Sequence, residues 1–557
     1  MEFDCLPYGV GHGQEGVCLR IRLGPHRVLL DCGLTNIDAL LSVGDGQPPA
    51  DFVICSHAHP DHARSLLDLH RAFPDMPIYA SEVTSRLLPL NWREEPDVPL
   101  FCRALPWRSP LEIQRGLSVT LWPAGHLPGA AAVLLTYHTA KRDYTLFYTG
   151  DFLLSSSRLV EGLPLDAMRG LKPDVLILEG SYGTARHPHR RQQENQFAER
   201  IHRAIANGQS VIVQTPAMGL GQEILMLLRS HHHFTGRDLT IWVDEAIAQS
   251  CDAYLELLPH FPSTVQNFAR HQPLFWDDRI RPYVKRLPDE FLKGDMQLPQ
   301  PSVILMDENA DACRYLTPSA EKWLLLLPEQ WRRTPDGGRS PYDLTRLSPA
   351  VQAAIQSGKL QVDTYLLSEH CDGSGTTQLI HNLRPQHVIF VHGMPEYLSD
   401  LTSLEELQNR YHLHSPAADT VVELPIGETF LQPAPPDTRY EGELTEFETL
   451  VMVTLPESIT SDARWQGFAD TGLVEARWQG EELVLRGVSQ RELLNQGTEP
   501  NLSPEVECCE NCQHYRRQRC MSQASPLYGF RVSPEGYCPA FESLSASSSR
   551  DRREQSS

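Results

Sequence analysis

One seven-residue segment, Ser56-His57-Ala58-His59-Pro60-Asp61-His62, constrains this chain more than any other. It directly follows the apolar run 52–55, which predicts a short buried strand. Imidazole nitrogens and carboxylate oxygens are ligands that zinc-like divalent ions prefer. A tight loop can direct His57 and His59 towards one ion and Asp61 and His62 towards another. The segment therefore predicts a metal site rather than a solvated loop that happens to be rich in histidine.

Further residues of ligand type follow other predicted strands. In open α/β sheets, ligands gather at the carboxyl ends of strands, so residues that are distant in sequence can converge there. The residues placed in this way are His126, Asp151, Glu179 and His392. The run His231-His232-His233 is followed by no strand-end carboxylate, and we expect it to form an ordinary surface loop.

Length and composition indicate a globular protein of more than one domain. At 557 residues the chain exceeds what one hydrophobic core usually supports. Its apolar runs are shorter than a membrane span, and the acidic N-terminus does not resemble a secretory signal. Thirteen cysteines without a disulfide pattern favour a cytoplasmic protein. The net charge of −22 argues against a generally basic nucleic-acid binder, although a local basic groove is compatible with it.

The pattern of apolar residues divides the chain into six segments. Short strands and loops occupy 1–185, helices alternating with strands occupy 186–362, and strands of the first kind return over 363–430. We therefore expect an α/β protein whose second unit is inserted within the first. A proline-rich linker then precedes a small domain at 437–500, a cysteine-rich metal-binding module at 501–543 and a disordered tail at 544–557.

Seven motifs carry a resemblance to a known family. The segments 29–33, 57–62, 125–126 and 148–151 resemble, in order and spacing, the four motifs of the metallo-β-lactamase fold. The segments 178–183, 368–372 and 391–393 resemble motifs A, B and C of the β-CASP nucleases, a branch that includes RNase J and the nuclease of the cleavage and polyadenylation specificity factor. The resemblance covers about residues 1–425 and implies an αββα sandwich with an inserted α/β β-CASP domain.

The resemblance also implies which residues hold two zinc ions. Asp31 would support the site as a carboxylate behind the ligands, and Glu179 would orient one of the histidines. The ligands implied are His57, His59 and His126 for one ion, Asp61, His62 and His392 for the other, and Asp151 as the bridge between them.

The chemistry expected of such a centre is phosphodiester hydrolysis. Two neighbouring zinc ions lower the pKa of water from about 15.7 towards about 7 and stabilise both oxygens of an in-line displacement. The catalytic residues expected are Asp61, Glu179 and His370, with His370 protonating the leaving 3′ oxygen as a general acid. A histidine at motif C, which is His392 here, is typical of family members that act on RNA. The alternatives are a DNA nuclease, another hydrolase on this fold and a non-catalytic scaffold.

Three places depart from the family pattern. Leu220 stands where arginine is usual at a helix start, the segment 305–308 replaces a frequent Ser-Gly-Met, and Met394 replaces a frequent glutamate. The choice between internal and 5′-terminal cleavage of RNA is therefore open, and so is the formation of a homodimer.

Five cysteines crowd the C-terminal segment. Thiolates at this density favour a structural metal, so a further zinc ion is expected there, with an iron–sulfur cluster or reduced free cysteines as alternatives. The ligands expected are Cys509, Cys512, Cys520 and Cys538.

Overall fold

The computed structural model describes residues 3–426 apart from 13–14, 43–45, 96, 317–321, 330–331, 334–338 and 341–346. Beyond residue 426 it describes the strands Val474–Gln479 and Glu482–Gly487 and short stretches of 509–543. The chain divides into two compact units, Met1–Pro435 and Pro436–Ser557. Among the described residues, no helix combines the length and the apolar character that crossing a membrane requires.

Two seven-stranded sheets, each with antiparallel and parallel pairs, form the first domain. The first sheet has the strand order Val422–Glu423, Phe3–Val10, Val17–Leu23, His26–Leu30, Phe52–Ile54, Ile78–Ser81 and Cys102–Leu105. The second has the order His412–His414, His387–Val391, Val175–Glu179, Asp143–Tyr148, Ala131–His138, Leu117–Pro123 and Leu111–Gln114.

The two sheets share one apolar core and are covered by helices. Successive side chains of a strand point to opposite faces, so Phe52 and Ile54 enter the core between the sheets while Val53 joins the cluster that contains Leu66 and Leu69. This arrangement is the predicted αββα sandwich. Its helices are Asp38–Leu41, Pro60–Ala63, Leu66–Ala72, Glu82–Leu87, the 3-10 turn Leu88–Trp92, Leu165–Met168, Gly373–Leu383, Pro395–Thr402 and Glu405–Gln408.

A second α/β unit is inserted between the strands Val175–Glu179 and His387–Val391. Its sheet is entirely parallel, in the order Tyr283–Arg286, Thr240–Val243, Val303–Asp307, Ser210–Thr215, Trp323–Pro328 and Leu360–Tyr365. Its helices are Arg190–Ala206, Leu220–Ser230, Glu245–Glu256, Ser263–His271, Asp289–Leu292 and Pro349–Gln356, with 3-10 turns at Leu258–His260 and Ala312–Tyr315 and a small hairpin of Arg332–Arg333 and Arg339–Ser340.

One strand lies in a different sheet from the one that the sequence predicted. Leu360–Tyr365 pairs with Trp323–Pro328 at the edge of the inserted sheet, so the predicted boundary between 362 and 363 falls inside this strand. The chain returns to the first domain only after Tyr365. Apolar strands of both sheets read alike in the sequence, since each is buried by helices on at least one face.

Within the C-terminal unit, the structure describes two hairpins and a short turn. Val474–Gln479 pairs with Glu482–Gly487, and Tyr515–Arg516 pairs with Arg519–Cys520 next to the 3-10 turn Cys509–Asn511. The predicted linker, most of the segment 437–500 and the predicted disordered tail lie outside the described residues. The domain limits in this part of the chain therefore stay predictions.

Candidate metal centre

The predicted ligands lie at the carboxyl ends of strands from both sheets. The segment from His57 to His62 follows Phe52–Ile54, and Pro60 begins a short helix whose first turn carries Asp61. Four further residues of ligand type lie at or just after the ends of other strands. His126 follows Leu117–Pro123, Asp151 follows Asp143–Tyr148, Glu179 ends Val175–Glu179, and His392 follows His387–Val391.

One group of potential ligands consists of His57, His59, His126 and Asp151, each offering an atom within 4.8 Å of all the others. Asp151 Oδ2 lies 3.5 Å from His57 Nε2 and 3.7 Å from His126 Nε2. His126 Nε2 lies 3.0 Å from His59 Nδ1. Three imidazoles therefore converge beside one oxygen of a buried carboxylate.

A second group lies on the other side of the same carboxylate and contains Asp61, His62 and His392. His392 Nε2 is 3.1 Å from Asp61 Oδ2. Asp151 Oδ1 is 3.3 Å from His62 Nε2 and 3.5 Å from His392 Nδ1. The two oxygens of Asp151 thus face one group each, which is the arrangement that a bridging ligand needs.

Each of the five histidines is oriented by a partner on one of its ring nitrogens. Such a partner fixes the tautomer and leaves the opposite nitrogen for a metal ion. The partners are Ser56 Oγ at 3.0 Å from His57 Nδ1, the Met218 carbonyl at 3.1 Å from His59 Nε2, Asp31 Oδ2 at 2.8 Å from His62 Nδ1, the Glu369 carbonyl at 2.8 Å from His126 Nδ1, and Ser181 Oγ at 2.9 Å from His392 Nδ1.

Asp31 lies behind the ligands as a fully buried carboxylate. It accepts hydrogen bonds from the Ser56 backbone at 2.6 Å, the Ser56 hydroxyl at 2.8 Å and the Tyr148 hydroxyl at 2.6 Å, besides contacting His62. Its φ of 61° is left-handed, a conformation that costs a non-glycine residue about 1 kcal/mol or more. The surrounding hydrogen bonds hold Asp31 in this conformation.

The donor set fits a metal ion. Among the described residues, His57 Nε2, His62 Nε2 and Asp151 Oδ1 are buried and make no hydrogen bond of good geometry, although His62 Nε2 and Asp151 Oδ1 lie 3.3 Å apart. A buried polar atom left in this state costs roughly 1–3 kcal/mol, and coordination to a cation removes that cost. Imidazole and carboxylate together are the ligands of hydrolytic zinc sites.

Burial and neighbouring charges tune the ligands in opposite directions. Burial lowers the pKa of His57 well below its usual range and that of His126 to about 3, so both rings are neutral and ready to coordinate. Burial also acts to lower the pKa of His62, but the charges of Asp151 and Asp31 outweigh it and raise this pKa to about 10. His62 must lose a proton to act as a ligand, so acid weakens metal binding.

Glu179 and His370 form an ion pair beside the centre. Glu179 Oε2 is 2.7 Å from His370 Nδ1, and Glu179 Oε1 accepts a hydrogen bond from the Phe152 backbone at 2.6 Å. Burial acts to lower the pKa of His370, but the Glu179 charge outweighs it and raises this pKa to about 9. His370 is therefore protonated at neutral pH. It is also near Asp151, with 3.7 Å between His370 Nδ1 and Asp151 Oδ2.

The centre opens into a cavity of about 1190 Å³ between the first domain and the inserted domain. His187, which was not predicted from the sequence as a site residue, also lines this cavity. Its Nδ1 lies 2.9 Å from Ser368 Oγ, and its ring centroid is 4.3 Å from that of Tyr182. The cavity is lined by both domains, through residues that include Asp61, Arg64, Tyr182, Arg186, Met218, Glu308, Glu369, His370 and His392.

The groups that orient the potential ligands were not predicted from the sequence. Ser56 directly precedes His57, and this position was a signal available in the sequence. The Met218 and Glu369 carbonyls come from elsewhere in the fold, and a backbone carbonyl has no sequence signature. No metal-binding cluster among the described residues includes Cys509, Cys512 or Cys520, and Cys538 lies outside them, so the C-terminal metal stays a prediction.

Comparison with protein families and known proteins agrees with this geometry. The description "beta-lactamase superfamily domain" matches residues 26–213, and "Zn-dependent metallo-hydrolase RNA specificity domain" matches residues 358–413. An uncharacterized protein of Synechocystis is 50% identical over 555 residues, which are 97% of each chain. A ribonuclease of Thermus thermophilus is 27% identical over 73% of this chain and 96% of its own. Subunit 3-II of the cleavage and polyadenylation specificity factor of Arabidopsis thaliana is 22% identical over 71% of this chain and 68% of its own.

Fold, ligand set and family matches define a metal-dependent hydrolase with zinc in its active site. Within that class, the inserted α/β domain and the three motifs around Glu179, His370 and His392 distinguish one family. The chain belongs to the β-CASP nucleases of the metallo-β-lactamase superfamily.

Proposed function

We propose that the protein is a zinc-dependent ribonuclease whose active site holds two zinc ions. The observation that carries this proposal is the placement of Asp151, whose two oxygens face separate groups of ligands. His57, His59 and His126 would hold one ion, and Asp61, His62 and His392 the other. When bound, two zinc ions activate water and stabilise the attacking and leaving oxygens of a phosphodiester.

The residues beside the ligands supply the proton transfer in this proposal. His370 lines the cavity, and its Nδ1 faces Glu179, so Nε2–H is the group that donates to the leaving 3′ oxygen. Glu179 holds the ring in this orientation and keeps it protonated at neutral pH. When a water oxygen bonds to phosphorus and the bond between phosphorus and the 3′ oxygen breaks, the 3′ oxygen takes the proton from His370, and the phosphate stays on the 5′ oxygen of the downstream product.

Three observations support RNA as the substrate. The segment 358–413 matches an RNA specificity domain, and the relatives compared above include a ribonuclease and a subunit of a polyadenylation factor. His392, the motif C residue, lies 3.1 Å from Asp61 within the second ligand group. Arg64 and Arg186 line the cavity and bring positive charge to it in a chain whose net charge is −22.

Matched oligonucleotides test this proposal. A 5′-labelled single-stranded RNA and a DNA of the same sequence are incubated with the zinc-loaded protein and with the variant Asp151→Asn. We expect cleavage of RNA by the wild type, a 5′-phosphate on the downstream product, and no cleavage by the variant. Product lengths distinguish internal cleavage from removal of nucleotides at the 5′ end. Preferential cleavage of DNA, or equal cleavage of RNA by the variant, would contradict the proposal.

A further inference from the structure

A second group of histidines lies in the inserted domain, outside the active site. His231, His232 and His233 directly follow the helix Leu220–Ser230, and each offers a nitrogen within 4.8 Å of the other two. Their ring centroids are 4.2–4.9 Å apart. The sequence predicted an ordinary surface loop here, and the three residues are half-buried or exposed. Their rings nevertheless lie close together instead of extending into solvent.

The helix Arg190–Ala206 presents one face to these rings. Asn195, Glu199 and His202 are spaced four and three residues apart, so they lie on the same side of the helix. Asn195 Oδ1 is 3.3 Å from His231 Nε2, and Glu199 Oε2 is 3.0 Å from His233 Nε2. The His202 ring stacks on the His233 ring, with centroids 4.5 Å apart and 6° between the planes.

These contacts determine which ring nitrogens of His231 and His233 a metal ion could reach. The carboxylate on His233 Nε2 fixes the tautomer with Nδ1 unprotonated, which is how a metal-binding histidine is usually oriented. His231 donates from Nε2 to Asn195, and its Nδ1 accepts a hydrogen bond from the His233 backbone N–H at 3.3 Å, a contact that a metal ion on Nδ1 would replace.

We propose that His231, His232 and His233 form a binding site for one divalent transition-metal ion, with Glu199 orienting His233. Imidazole nitrogens suit zinc, nickel and copper, and surface exposure leaves room for water to complete the coordination. The site would join the end of one helix to the side of another within the inserted domain. It is independent of the catalytic centre and of the proposed ribonuclease activity.

Calorimetric titration with Ni²⁺ tests the site on the full-length protein loaded with only the two equivalents of zinc that the active site is proposed to hold. We expect the wild type to bind one more equivalent of Ni²⁺ than the triple variant His231→Gln, His232→Gln, His233→Gln. Glu199→Gln should bind that ion about 10- to 100-fold more weakly, since the oriented tautomer is lost. His271→Gln, an exposed histidine elsewhere in the same domain, is the control and should bind as the wild type does.

The outcome that overturns the site is equal Ni²⁺ binding by the wild type and the triple variant. Thermal unfolding of all variants without added Ni²⁺ should stay close to that of the wild type, because the substituted side chains are half-buried or exposed and none belongs to the core. A raised unfolding temperature with Ni²⁺, present in the wild type and absent in the triple variant, supports the site by a measurement that does not depend on catalysis.

Discussion

At the scale of single residues, the proposed coordination of metal ions depends on which ring nitrogen each histidine offers. Ser56 and Asp31 each hold an Nδ1 atom, so His57 and His62 turn Nε2 towards Asp151. His392, whose Nδ1 contacts Ser181, turns Nε2 towards Asp61. His59 is reversed, because the Met218 carbonyl of the inserted domain takes its Nε2. The inserted domain therefore contributes directly to the orientation of a ligand, although it supplies no ligand itself.

Replacing His370 should separate catalysis from metal binding. His370→Ala removes the proposed proton donor but none of the proposed ligands, so turnover should fall about 10²- to 10⁴-fold while the zinc content stays that of the wild type. Single-turnover cleavage of labelled RNA and metal analysis measure the two quantities. His260→Ala, an exposed histidine of the inserted domain, is the control. Undiminished turnover of His370→Ala would exclude the general-acid role.

Replacing Asp31 should have the opposite signature. Asp31→Asn weakens the hydrogen bond to His62 and removes the charge that keeps this imidazole oriented. We expect zinc affinity to fall about 10- to 100-fold, as is usual when such a supporting carboxylate is lost. Competition with a chromophoric chelator measures the affinity, and Asp38→Asn at an exposed position is the control. If the two variants bound zinc equally well, Asp31 would have no supporting role.

At the scale of secondary structure, close packing of loops holds the ligands in position. A Cβ atom on Gly33 would lie 1.7 Å from the Asp61 carbonyl oxygen and 2.7 Å from the His62 nitrogen, both backbone atoms. Cys32 donates its backbone N–H to the His62 carbonyl at 2.9 Å. The loop after His26–Leu30 and the helix Pro60–Ala63 are thus packed backbone against backbone.

Gly33→Ala should therefore disturb both the fold and the site. The methyl group can fit only if the helix with Asp61 and His62 moves, and we expect the free energy of unfolding to fall by about 3 kcal/mol. Urea denaturation measures the change, with Thr35→Ala at an exposed neighbouring position as the control. A stability within about 0.5 kcal/mol of the wild type, which is the usual effect of a surface substitution, would contradict the packing described.

The loop after the strand Val303–Asp307 should make substrate binding depend on pH. Desolvation raises the pKa of Glu308 to about 7, and the nearby carboxylates of Asp307 and Asp61 act in the same direction. Glu308 lines the cavity, so it adds a negative charge beside the polyanionic substrate as pH rises through 7. We expect KM for RNA to rise roughly five-fold over that range, which corresponds to a repulsion of about 1 kcal/mol.

Glu308→Gln should flatten this dependence, because an amide does not ionise. KM measured between about pH 6 and pH 8 provides the test, and Glu290→Gln, at an exposed position away from the cavity, should keep the profile of the wild type. The same rise of KM in Glu308→Gln and in the wild type would assign the dependence to another group.

The sequence predicted those parts of the fold and site that have local signatures. The segment from His57 to His62 has its ligand spacing within one loop, and the strand-end residues Asp151 and His392 follow recognisable buried strands. The sequence could not predict which of the sheets contains the strand Leu360–Tyr365, because strand pairing depends on contacts between residues that are distant in sequence. For the same reason, nothing in the sequence links Met218 to His59 or Glu369 to His126.

At the scale of the whole molecule, the catalytic unit is the first domain together with its insertion. The proposed metal ligands come entirely from the first domain, whereas the cavity is lined by residues of both domains. Without a metal ion, His57 Nε2, His62 Nε2 and Asp151 Oδ1 would stay buried with no hydrogen bond of good geometry among the described residues. The arrangement therefore ties the stability of this region, and its proposed reaction, to bound zinc.

Removal and return of zinc tests whether the proposed reaction depends on bound zinc. Cleavage of 5′-labelled single-stranded RNA is measured with the purified protein, with the same protein after chelation and dialysis, and after zinc is added back. The account predicts that cleavage disappears on chelation and returns with zinc, and that Asp151→Asn stays inactive throughout. Cleavage that persists in the chelated protein, or that fails to return in a folded protein shown to have bound two zinc ions at this centre, would contradict it.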